Sequence, residues 1–213
     1  MKFQEGWTKF FASQISEPTF KGAAAYVQNQ RNNGITIFPP DGKVFDAFAQ
    51  TQFEDLKAVI MIDEHYTDEQ YAGQGLALSV SDDQSIPDTL MNVFHELQRD
   101  LGVDIPETGD LSSWAKAGVL LITNNITAKK DKINAHSSIG WQIFTDNLIK
   151  YISDNKECIV FAFWGNNVKK RAKKVDTTKH TVLVTSSPSK PYDGFSGCGH
   201  LSKINSVCGI WEV

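Results

Sequence analysis

The sequence predicts an α/β fold: three layers, α/β/α, on a central, mostly parallel four-stranded sheet. Two observations carry that expectation. Four apolar runs of four to six residues, rich in Val, Ile and Leu, are continuous rather than alternating, as strands covered on both faces must be. Amphipathic segments at helical spacing lie between them, and such alternation implies parallel strands with helices on both faces.

The first run is Ala58-Val59-Ile60-Met61-Ile62 and the second Gly118-Val119-Leu120-Leu121-Ile122. The third is Cys158-Ile159-Val160-Phe161-Ala162-Phe163 and the fourth Thr181-Val182-Leu183-Val184. Pro87 to Leu101 sets Leu90, Val93, Phe94 and Leu97 at helical spacing, and Trp141 to Ile152 does the same with Phe144, Leu148 and Ile152. Ligands of such sheets bind outside the carboxyl ends of the strands. The loops after Ile62, Ile122, Phe163 and Val184 are therefore the places to look for a site.

With 213 residues and 41% hydrophobic content, residues 1–213 are expected to form a single domain with a sizeable core. A net charge of −4 excludes a globally basic nucleic-acid binder, so any such surface must be local. Cys158, Cys198 and Cys208 are widely spaced, odd in number and contain no CxxC pair, which argues against a disulfide framework and against a zinc site. Free thiols and no metal or cofactor are expected. No run approaches the ~18 apolar residues of a membrane span, and the start of the chain lacks an apolar signal core. The expectation is an intracellular monomer, cytoplasmic or nuclear and open to viral origin, with no membrane partner.

Each strand-end loop is polar. Asp63-Glu64-His65-Tyr66-Thr67-Asp68-Glu69 crowds acids and a histidine at one strand end. Like charges held close raise a carboxyl pKa, which suits general-base work, and a solvated acidic loop is the ordinary alternative. Thr123-Asn124-Asn125-Ile126-Thr127 can hydrogen-bond a ligand or cap a helix. Trp164-Gly165-Asn166-Asn167 precedes Lys169, Lys170, Arg171, Lys173 and Lys174. Gly165 and Asn166 can offer backbone amides to a phosphate with lysines nearby, or the segment is a charged helix face. Ser186-Ser187-Pro188-Ser189-Lys190-Pro191 reads as a rigid small-residue turn.

The order of motifs resembles family 1 uracil-DNA glycosylase. Gly34-Ile35-Thr36-Ile37-Phe38-Pro39-Pro40 with Val44-Phe45-Asp46-Ala47-Phe48 is similar to that family's GVTIYPP…VFNAF. Gly75 to Val80 is similar to GLAFSV, and Gly109 to Leu121 to GDLSGWAKQGVLL. Asn134, His136, Gly140-Trp141 and Phe144-Thr145-Asp146 fit NSH…GW..FTD, and Gly194 to Lys203 fits GFFGC.HFSK. The resemblance covers roughly residues 5–205.

The departures fall on positions to which the resemblance assigns function. Where the family reads GQDPYH this chain reads Ile62-Asp63-Glu64-His65-Tyr66-Thr67, so the catalytic aspartate becomes Glu64 with Asp63 adjacent. Tyr66 matches the tyrosine that guards the pocket against a methyl group on the pyrimidine ring. Leu78 replaces the phenylalanine that stacks on uracil, and Thr123 the asparagine that reads its edge. Ser187 replaces the histidine of HPSPLS, Pro188 and Ser189 match, and Lys190 and Pro191 stand near the place of the DNA-wedging leucine.

The resemblance implies extrusion of a nucleotide and hydrolysis of its N-glycosidic bond, the general solution for chemistry on a stacked base. Glu64 or Asp63 would activate water or stabilise an oxocarbenium-like sugar, and Ser187 and His65 would serve the leaving base. Tyr66, Leu78, Thr123 and Asn124 would shape the base pocket. Pro39, Pro40, Gly165, Asn166, Lys169, Pro188, Ser189 and Lys190 would grip single- or double-stranded DNA by its phosphates. A side-chain amide offers a donor and an acceptor to a base edge where threonine has one hydroxyl. An aromatic platform contributes ~1–3 kcal/mol per stacked base, and one preorganised donor on the order of 10²–10³ in rate. The substitutions therefore predict poor action on uracil. Two readings remain: a DNA glycosylase of altered base preference, or a catalytically inactive homologue that binds DNA or a protein.

Overall fold

The structure is a computed structural model that describes residues 5–63, 65–68, 71 and 74–212. Helices α1 (Glu5–Ile15) and α2 (Pro18–Asn32) lead into β1 (Ile37–Phe38) and the short α3 (Asp46–Gln50). Then come β2 (Ala58–Ile62), α4 (Asp88–Leu101), α5 (Ser112–Lys116), β3 (Val119–Thr123) and β4 (Ala128–Lys129). The chain ends with α6 (Trp141–Asn155), β5 (Val160–Trp164), a 3-10 helix over Val168–Lys174, β6 (Thr181–Thr185) and α7 (His200–Cys208). The predicted strands and the two predicted helices form, with ends shifted by a few residues.

The main sheet is fully parallel in the order β3-β2-β5-β6. Strand β2 is central and opens the series. The chain first steps outward to β3, then crosses back over β2 to β5. Strand order therefore reverses between β2 and β5, the position where ligand crevices form in such sheets. A two-stranded antiparallel pair, β1 with β4, flanks this edge.

Alternate residues of the strands point to opposite layers, as the period of two requires. Val59, Met61, Leu120, Ile122, Phe161 and Phe163 pack with Trp7, Phe10, Phe48, Trp141 and Phe144 of the α1–α2–α3–α6 layer. Ala58, Ile60, Val119, Leu121, Ala162 and Trp164 pack with Leu90, Phe94, Trp114 and Leu201 of the α4–α5–α7 layer. One expectation is corrected here. β6 is an edge strand with exposed Thr181 and Val184, not a strand covered on both faces.

Loop anchoring fixes the sheet edge. Glu96 in α4, with a side chain 1% exposed, takes hydrogen bonds from Gly197 N (2.7 Å), Gly199 N (3.1 Å) and Arg99 Nε (2.9 Å). Burial alone opposes its ionisation, but the Arg99 side chain and these two amides outweigh it and hold the carboxyl below its usual range. This carboxylate, 101 residues away in sequence from Gly197, ties the segment before α7 to the second layer.

Candidate active site

Asp63 follows β2 at the reversal of strand order. Its Oδ1 accepts from Val168 N at 2.8 Å and its Oδ2 from Asn167 N at 2.9 Å, with Asn167 Nδ2 at 3.3 Å. It therefore caps the 3-10 helix Val168–Lys174, satisfying amides that have no partner within the helix. Gly165 makes this approach possible: its φ is 138°, and a β-carbon there would collide with the Asp63 carboxyl. The Gly165 amide itself donates to Thr185 O at 3.0 Å, so the phosphate-facing role expected of it is replaced by a sheet bond. Asp63, expected to act on water, commits its carboxylate to main-chain amides instead. Glu64 lies outside the described residues, as does Glu69.

On the other side of the β2 end lies a cavity of about 270 Å³. His65, Tyr66, Leu78 and Thr123, four of the sequence-predicted pocket residues, line it together. Its opposite wall comes from Phe38, Pro39, Val44, Ala47 and Phe48 of β1, α3 and the turn between them. Gly75, at φ 76°, lets the chain touch Lys43 O and the Asp46 side chain, which sets the segment carrying Leu78 against α3. Leu78 adopts φ 69°, a conformation uncommon for a residue with a β-carbon. The Tyr66 hydroxyl donates to Leu78 O at 3.2 Å, and burial pushes the phenol pKa up.

Two polar groups of the cavity, Thr123 and His65, are turned on one another. Thr123 Oγ1 donates to Asn125 O at 2.6 Å and lies 2.7 Å from His65 Nε2, which also bonds to Asn125 O. A carbonyl oxygen only accepts, so Nε2 carries the hydrogen and Nδ1 is left as an acceptor. Burial, with a contribution from nearby His136, pushes the His65 pKa down to about 4, although the bond to Asn125 works the other way. His65 is thus neutral near pH 7. Asn124 does not line the cavity as expected: its main chain bridges Ile62 O and Thr145 Oγ1, and its Oδ1 is buried without a hydrogen-bond partner in the protein.

A second cavity of about 10 Å³, large enough for one water molecule, lies behind His65 between Asp63, Asn125, Thr127 and His136. His136 is 1% exposed. Trp141 Nε1 donates to Thr127 Oγ1 at 2.7 Å, and the same hydroxyl is hydrogen-bonded to His136 Nδ1 at 2.8 Å. The His136 pKa is lowered by burial. In the sequence His136 stands only within a segment that matches the family motif, and its spacing from Asn134 and Trp141 is the signal there. Asn125 Oδ1, also buried without a protein partner, belongs to this same pocket.

Ser187 is not brought to the cavity. Its hydroxyl pairs with Ser189 Oγ at 2.8 Å and accepts from Ser189 N at 3.1 Å, closing the turn, while Ser189 reaches the cavity rim. Asn92 Nδ2 pins Pro188 O at 2.9 Å. Pro40, Lys190, Asn166 and Lys169 are exposed, with Lys169 Nζ on Asn166 Oδ1 at 2.7 Å, and Pro39 is buried in the cavity wall. The basic segment divides in two. Arg171 is buried on Asp146, Gln142 O and Thr145 Oγ1, and Lys174 also pairs with Asp146. Lys169, Lys170 and Lys173 face solvent.

Among the described residues no helix is long and apolar enough to cross a membrane, and no cluster of three metal-ligating side chains occurs. The free cysteines are Cys158, Cys198 and Cys208.

No family model matches the chain. It is 39% identical over 207 residues to a protein of Campylobacter hominis named uracil-DNA glycosylase, covering 97% of this chain and 88% of that one. A Francisella philomiragia protein of the same name is 41% identical over 202 residues, covering 93% and 92%. Among solved structures, mimivirus uracil-DNA glycosylase superposes with a TM-score of 0.87 at 25% identity, over 96% of this chain and 82% of that one. The fold, the order of its strand-end loops and these relatives agree, and the chain belongs to the uracil-DNA glycosylase family.

Proposed function

We propose that the chain is a DNA N-glycosylase that hydrolyses the glycosidic bond of an extruded base other than uracil. The observation that carries this reading is the cavity at the ends of β2 and β3, where Tyr66, Leu78 and Thr123 meet. Uracil presents a donor flanked by two acceptors on its edge. The Thr123 hydroxyl hydrogen is already directed to Asn125 O, and neither Asn124 nor Asn125 lines the cavity. Gln74, the one side-chain amide among the described lining residues, donates to Ser81 Oγ at 2.7 Å, and a base edge left without partners is desolvated at about 1–3 kcal/mol per group.

Hydrolysis needs a water placed against the sugar and a charge to favour the oxocarbenium-like transition state. The small cavity between His65, Asn125 and His136 offers a water position, and the family resemblance assigns the water-activating carboxylate to Glu64. Neutral His65, with Nε2–H held by Asn125 O, orients the loop rather than donating to the leaving base. Exposed Lys169, Lys170, Lys173 and Lys190 supply local positive charge for phosphates on an acidic protein.

The test is abasic-site formation on labelled single- and double-stranded oligonucleotides carrying uracil, damaged pyrimidines and modified purines. Native protein is expected to yield abasic product from at least one non-uracil base and Glu64→Gln to lose it. DNA binding without abasic product across the panel would establish the second reading, a non-catalytic homologue. That reading draws on one observation: Asp63 and Ser187 are both committed to structural hydrogen bonds.

A further inference from the structure

We infer that the base taken by this site is larger than uracil by about one ring, and that the added part is apolar. This rests on the glycosylase reading above. The cavity measures about 270 Å³, whereas a cavity of about 150 Å³ suffices for benzene. A monocyclic pyrimidine leaves much of that space without contacts, and each unfilled ångström forfeits dispersion energy. What distinguishes this cavity from the family motif is Leu78, a branched aliphatic side chain where the motif has an aromatic ring.

The character of the wall decides the chemistry. Phe38, Val44, Ala47 and Phe48 bring no side-chain donor or acceptor. A hydrophilic extension such as a hydroxymethyl or sugar group would be desolvated there without a partner, at about 1–3 kcal/mol per group. A fused apolar ring would be stabilised by burial at roughly 25 cal/mol per Å². An etheno adduct of cytosine has this form: one additional ring with no donor. None of the cavity's described polar side chains comes from this wall: His65, Tyr66 and Thr123 come from the β2 and β3 ends, and Tyr71, Gln74 and Ser79, which bond to Ser85, Ser81 and Leu111 N, from the segment between β2 and α4. The smaller, polar part of the base then faces the strand ends and the apolar ring faces α3.

The experiment is single-turnover abasic-site formation in one duplex context from uracil, hydroxymethyluracil, hypoxanthine and ethenocytosine. Ethenocytosine is expected to react about tenfold or more faster than the others, the scale on which apolar pockets discriminate by size. Leu78→Phe and Val44→Phe, which narrow the cavity from opposite walls, are expected to reduce that preference at least about tenfold. Both variants are checked for unchanged thermal midpoints, and either one folded is sufficient. Preference for uracil or hydroxymethyluracil would overturn the size and polarity assignment while leaving a glycosylase. Preference for hypoxanthine would overturn the apolar assignment alone. If no base yields product, the catalytic reading falls, and affinity for single strands carrying each base on a fluorinated, non-hydrolysable sugar decides the inference. Tighter binding of ethenocytosine than of uracil supports it, and equal or weaker binding overturns it.

Discussion

The two sides of the β2 end differ in how they treat polarity. On the β5 side Asp63, Gly165 and the amides of Asn167 and Val168 form a closed polar joint with every partner within hydrogen-bond distance. On the β3 side the polar groups Thr123, His65 and Asn125 O satisfy one another, and what faces the large cavity is mostly apolar. Residue type therefore does not assign chemistry by itself. An aspartate at a strand end became a helix cap, and a neutral histidine and a threonine became the lining of a base-sized space.

Breaking the polar joint gives the largest expected effect. Asp63→Ala leaves two amides of a partly buried helix start unsatisfied, for a loss of about 2–4 kcal/mol. Asp63→Asn keeps an acceptor and is expected to lose less. Urea unfolding measures both, and an Asp63→Ala midpoint equal to native would remove the capping role.

The β3 side is sharpened by pH. His65 takes up a proton only near pH 4 in the folded protein, against about 6.5 for an unperturbed histidine. The unfolded chain therefore binds the extra proton between those values, and the contribution of this group to stability is complete above pH 6.5 and lost as pH falls toward 4. Native protein should lose stability more steeply than His65→Gln between pH 7 and 5 in urea titrations. Parallel losses would contradict burial of a neutral imidazole.

Thr123→Val removes the hydroxyl that joins His65 to Asn125 O, for about 1 kcal/mol of stability. If the hydroxyl is a support rather than a base reader, the order of preference among bases should stay the same. A reordered preference would return Thr123 to direct base reading. The smallest effect belongs to the exposed lysines. Lys173→Ala should leave stability unchanged and lower the slope of log affinity against log salt by about 1 if it meets a phosphate.

The scaffold was legible because its signal is local. Continuous apolar strands and the Leu90–Leu97 and Phe144–Ile152 stripes each lie within one element. The site was legible only in part. His65, Tyr66, Leu78 and Thr123 were found together because loops at the carboxyl ends of a parallel sheet converge. The capping of the Asn167 amide by Asp63 spans 104 residues and leaves no pattern in either segment. The Ser187–Ser189 pairing was hidden because a serine turn and a serine donor share one sequence. Arg171 read as one of a run of surface cations, and only the fold shows Asp146 opposite it.

This member of the uracil-DNA glycosylase family keeps the family's scaffold, and the proposal that it prefers a base other than uracil is open to direct measurement. The most direct measurement is the single-turnover rate of uracil removal from a short single strand, native protein beside Glu64→Gln and beside the best larger base. The uracil rate is expected to lie at least about tenfold below that of the larger base. Uracil removal as fast as or faster than that of every other base would contradict it.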